Sequence, residues 1–79
     1  MVAQRVRIAA LWDDEAQVWV AQSDDVPGLV CEAPTIPDLM RKLERLIPEL
    51  LDENGYPDGR DVEFELAATL HGVAHREAA

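Results

Sequence analysis

Between Thr35 and Asn54 the apolar residues are Ile36, Leu39, Met40, Leu43, Leu46, Ile47, Leu50 and Leu51. Steps of three and four line one side of an α-helix, and Arg41, Lys42, Glu44, Arg45, Glu49, Asp52 and Glu53 fall mostly on the other. One such helix cannot bury its stripe alone and needs a second layer to pack on. Thr35 is placed to cap it, Pro37 is tolerated in the first turn, and Asp38 suits the positive end. Pro48 removes a helical hydrogen bond, yet the stripe runs on through Leu50 and Leu51, so one kinked helix is expected. Asn54-Gly55 ends it, with Gly55 suited to a left-handed cap.

The other patterned segments alternate. Val2, Val6, Ile8, Ala10 and Trp12 share one parity and Arg5 and Arg7 the other, which marks a strand with one buried face. Asp13-Asp14-Glu15-Ala16 is a polar turn, and Val18-Trp19-Val20-Ala21 returns as the second strand of a hairpin. In Val26-Pro27-Gly28-Leu29, Pro27 presets φ and Gly28 accepts the positive φ of a type II turn. Strand 3 follows at Leu29–Ala33. After the helix and a loop at 56–60, Val62, Phe64, Leu66 and Ala68 alternate against Asp61, Glu63, Glu65 and Thr69 as strand 4.

The expected fold is α+β, in the order β-β-β-α-β. It is a four-stranded, mostly antiparallel sheet with one helix on one face, and strand 4 lies most simply parallel to strand 1. The domain spans residues 1–70, and residues 71–79 form a disordered tail. One sheet face is left uncovered. With Val18 and Val20 turned to the helix, Trp19 and Ala21 would lie on that open face beside Ala9 and Leu11. A one-residue slip would instead place Trp19 in the core.

Charge narrows the function. The chain of 79 residues carries 7 Lys and Arg against 16 Asp and Glu, a formal charge of −9. That excludes a nucleic-acid grip and adhesion to an anionic membrane, and it favours a basic partner or simple solubility. Cys31 is alone, and neither a signal peptide nor a transmembrane run is present, so a cytoplasmic protein is expected.

No residue set suits catalysis, a cofactor or a metal. Asp13, Asp14 and Glu15 are consecutive in one turn, and Asp24 and Asp25 precede another at the opposite end of the strand. Short acids in such places bond to backbone amides. His71 and His75 lie in a segment weakened as a helix by Gly72, and Cys31 reads as a small buried apolar residue.

The segments Trp12–Ala16 (WDDEA), Val18–Ala21 (VWVA), Ser23–Leu29 (SDDVPGL) and Leu46–Leu51 (LIPELL) carry a likeness. Together they resemble the N-terminal domain of HicB antitoxins, and in particular a small single-domain bacterial branch of that superfamily. The likeness covers roughly residues 5–68. It implies a truncated RNase H-like fold without nuclease activity, and binding to a small basic RNA-cleaving toxin of the HicA kind. Nothing after Ala68 suits an added DNA-binding domain, and Ala33-Pro34 replaces the family's usual glycine. The expectation is a non-catalytic protein-binding module that forms a homodimer, with Leu11, Trp19, Asp24, Asp25, Asp61, Glu63 and Glu65 at its contact surface. A self-associating structural or regulatory domain, binding itself or a small ligand, is the alternative.

Overall fold

The helix stripe is buried against a sheet. The computed structural model describes residues 2–55 and 61–77; the loop read at 56–60 lies outside them. The elements are β1 (Val2–Asp13), β2 (Val18–Gln22), β3 (Val30–Ala33), α1 (Ile36–Glu53) and β4 (Asp61–Thr69). They form one four-stranded sheet in the order β3-β2-β1-β4. β2 is antiparallel to β1 and β3, and β4 runs parallel to β1.

Local chemistry sets the boundaries. Thr35 Oγ1 accepts a hydrogen bond from the Asp38 amide at 3.2 Å, which caps the first turn of α1. Hydrogen bonding from Thr35, and then from Arg41, holds the Asp38 carboxyl below its ordinary value. The helix continues through Pro48 without breaking in two. At its end Gly55 takes φ +80°, and the Asn54 side chain donates to the Leu50 carbonyl at 2.7 Å and to the Pro27 carbonyl at 3.3 Å. That second bond ties the helix terminus to the Pro27-Gly28 corner. There Gly28 has φ +82° and the Leu29 amide donates to the Val26 carbonyl at 3.2 Å, as the turn residues require.

Leu39, Leu43, Ile47 and Leu51 of α1 are buried against Val6, Ile8, Ala10, Ala21, Cys31 and Ala33 of the sheet. The strand pairing Ala68–Ala10–Ala21–Cys31 lays a row of small side chains across the helix side of the sheet. Small residues let the helix approach closely, and the next row, Trp12–Trp19–Ala33, brackets it with bulk.

This register corrects the expected orientation of Trp19. Trp19 pairs with Trp12 and Ala21 with Ala10, so both face the helix, while Val18 and Val20 face away. The two indole rings meet edge to face at 5.4 Å, a favoured aromatic geometry. Gln17 closes the hairpin with φ 58°, and its amide donates to the Asp13 carbonyl at 2.8 Å. The four-residue turn thereby selects the slip that places Trp19 beside the core.

Two stability outcomes follow. Gly28→Val should cost about 1–3 kcal/mol or more, because a β-branched residue is strained at φ +82° and its Cβ would already lie in contact with Leu50 Cδ2, at 3.9 Å. Unchanged melting would place the reversal elsewhere. Trp19→Ser should lower stability by about 2 kcal/mol, a discounted share of a buried tryptophan's worth, since Trp19 is partly buried. A variant melting like the parent would contradict the helix-side register.

Candidate functional site: the uncovered sheet face

No described residue covers the face opposite α1. Along β1 it presents Arg5, Arg7, Ala9, Leu11 and Asp13, all exposed. Their partners by register are Glu63, Glu65, Ala67 and Thr69 on β4, and Gln22, Val20 and Val18 on β2. Val30 and Glu32 of β3 complete it beside Gln22 and Val20. Leu11 is 56% exposed and Val30 75%, and half-buried Val20 lies between Leu11 and Glu32 in one row. The result is an apolar patch of Leu11, Val20 and Val30 beside the Ala9–Ala67 pair.

The lower part of this face is a charge ladder. Arg5 opposes Glu63 and Arg7 opposes Glu65, and the Arg5 Nη2–Glu63 Oε1 distance is 3.1 Å. The Glu63 hydrogen bond, and then its charge, raises the Arg5 pKa above its ordinary value. Both side chains are half exposed, so the pair contributes little to stability. Asp13, Glu32, Asp61, Glu63 and Glu65 still outweigh Arg5 and Arg7, and the face is acidic on balance.

The other sequence-selected acids have local work. Asp13 Oδ1 accepts from the Glu15 and Ala16 amides, each at 3.1 Å, and Asp14 Oδ1 accepts from Trp12 Nε1 at 3.3 Å. At the corner, Ser23 Oγ donates to the Arg7 carbonyl at 2.5 Å, and Asp25 Oδ2 accepts from the Arg7 amide at 2.8 Å. Two side chains thus satisfy both backbone groups of Arg7 where the ladder to β2 has ended. Asp24 makes no such bond with the described residues and is exposed. Among the expected contact residues, then, Leu11, Glu63 and Glu65 share the open face and Asp61 starts β4 at its margin. Trp19 is on the opposite face, and Asp25 is a structural clamp.

Val20, Val30 and Glu32 belong to the face but escaped the sequence reading. The signal for them was the small-residue row: once Ala21 and Cys31 lie beneath the helix, Val20 and Val30 must face out. Cys31 is 6% exposed, and burial raises its thiol pKa above the ordinary value. A cleft of about 570 Å³ lined by Leu11, Trp12, Asp14, Thr69, Leu70 and His71 opens at the end of β1 and β4. Among the described residues no three His, Cys, Asp or Glu side chains gather to hold a metal ion, and no helix is long and apolar enough to cross a membrane.

The corner acids can be separated by mutation. Asp25→Ala should lower stability by about 1 kcal/mol or more, because the Arg7 amide loses its acceptor. Asp24→Ala should stay within about 0.5 kcal/mol of the parent. Equal losses in urea unfolding would refute the clamp.

No curated protein matches the chain. A crystal structure of a hypothetical protein from the extremely thermophilic bacterium Thermus thermophilus is similar to it, with 51% sequence identity and a TM-score of 0.77. That alignment covers 89% of this chain and 99% of the other. The family profile described as "Domain of unknown function (DUF1902)" matches residues 5–74, nearly the whole domain, and the chain belongs to that family.

Proposed function

We propose that this domain is a non-catalytic binding module whose uncovered sheet face receives a small basic protein. The observation that carries the reading is the apolar patch of exposed Leu11 and Val30 with half-buried Val20, bordered by Asp13 and Glu32. An apolar centre with a charged rim is the anatomy of a protein contact. The excess of carboxylates selects a Lys- or Arg-rich partner and speeds its approach. The resemblance to HicB antitoxins supports the same reading and makes a HicA-like RNA-cleaving toxin the first partner to test.

The opposite face is filled by α1, and the turn acids that could have suggested hydrolysis are engaged in capping and clamping backbone. Those placements favour binding over catalysis.

Pull-down from the native cell extract, with identification by mass spectrometry, should retain a small basic protein, and Leu11→Glu should abolish that retention while the domain stays folded. With the purified partner, rising salt should slow association, because exposed charges act over only about 8–10 Å at physiological ionic strength. Glu65→Lys should act mainly on the on-rate. A partner that binds Leu11→Glu and Glu65→Lys as well as the parent would place the contact on another surface.

A further inference from the structure

The two edges of the sheet are finished differently. β3 spans only Val30–Ala33, and the Lys42 ammonium donates to its Glu32 carbonyl at 2.7 Å. A short strand with a lysine against it is a protected edge. β4 is the other edge, and it runs nine residues, Asp61–Thr69. Its helix-side residues Val62, Phe64 and Leu66 are only half-buried, whereas Val6 and Ile8 beside them on β1 are fully buried. Beyond β4, residues 70–77 form no regular structure and are all exposed, with Leu70 at 65%. The radius of gyration is 15.8 Å, against about 12 Å for a compact chain of this length.

We infer that β4 pairs antiparallel with β4 of a second copy, in a register centred on Leu66. The reasoning is in the strand's own composition. Its first half carries Asp61, Glu63 and Glu65; its second half and the segment after it carry Ala67, Ala68, Thr69, Leu70 and His71. Run antiparallel to itself about Leu66, the strand sets Glu65 opposite Ala67, Glu63 opposite Thr69 and Asp61 opposite His71. On the helix side it sets Phe64 opposite Ala68 and Val62 opposite Leu70. No acid directly opposes an acid, and the closest like charges, the two Glu65 side chains, are diagonal. Centring on Glu65 instead would bring those two carboxylates face to face. Leu70, which projects from its own domain, then covers the half-exposed Val62 of the other copy.

The two-fold axis of such a pair stands perpendicular to the sheet. Both helices therefore lie on one side, with Val62, Phe64 and Leu66 of each copy on the floor between them. Both uncovered faces lie on the other side and join into one surface. The pairing also satisfies the free backbone groups of β4. It does not depend on a foreign partner: the open face stays available in the pair.

Sedimentation of the full chain should give a dimer at micromolar concentration. In a Cys31→Ser background, Leu66→Cys should oxidise to a disulfide-linked dimer. Directly opposed residues of an antiparallel pair are about 4.5–5.5 Å apart at Cα, within disulfide reach. Leu11→Cys on the open face should not cross-link. Leu70→Asp, at an exposed position beyond β4, should weaken association by about tenfold or more while leaving the circular dichroism of the domain unchanged. A monomeric parent, a dimer that cross-links through Leu11→Cys but not Leu66→Cys, or a Leu70→Asp variant that associates like the parent would each overturn the pairing. A monomer that still binds a basic protein through Leu11 would overturn it while leaving the proposed function intact.

Discussion

The structure depends on how closely one helix can approach one sheet. Leu39, Leu43, Ile47 and Leu51 are each at most 3% exposed, and burying such a side chain is worth about 1.5–3 kcal/mol. In a domain with so small a core, that contact is a large share of the burial available. It is possible because Ala10, Ala21 and Cys31 form one buried row under the helix. Enlarging any of them would lift the helix and leave a void on either side, which close-packed interiors do not tolerate. Trp12 and Trp19, Val18 and Val20 all take their positions from that row.

The same constraint decides what remains for function. Once Ala21 and Cys31 face the helix, pleating turns Val20, Val30 and Glu32 outward beside Leu11. The open face is therefore the complement of the core and not a separate device. Its acids are interleaved with Arg5 and Arg7, so in the binding role proposed above it would present an alternating ladder next to an apolar patch. A uniformly negative surface would attract any basic molecule; a ladder demands a register and so discriminates.

Much of this was legible in the residues. Thr35, the leucine stripe and Gly55 bounded the helix, Pro27-Gly28 marked the corner, and the alternation from Val62 to Ala68 marked β4, whose parallel pairing with β1 follows from the order of elements. The orientation of Trp19 was not legible. Both parities of Val18–Ala21 are apolar, and the turn that arbitrates depends on a left-handed Gln17, a conformation rarely signalled by a glutamine. The Ser23–Asp25 clamp was hidden for another reason: its partner, Arg7, lies 16 to 18 residues upstream, and local patterns carry no such information. Three expected contact acids, Asp61, Glu63 and Glu65, were rightly placed outward on β4, but the arginines opposing two of them became visible only with the register.

The clamp at Arg7 also divides the sheet along its length. Above it β1 lies between β2 and β4; below it β1 pairs with β4 alone. That lower ribbon joins residues such as Arg5 and Glu63, 58 apart in sequence, whereas the meander of β1, β2 and β3 is built from near neighbours. Closing a long loop costs entropy before any contact offsets it, and pairings remote in sequence are the slow ones. The expected order of assembly is meander first, helix onto its row of small residues next, and β4 last. Ser23 and Asp25 would then serve the incomplete molecule too, by holding Arg7 in extended form until its parallel neighbour arrives.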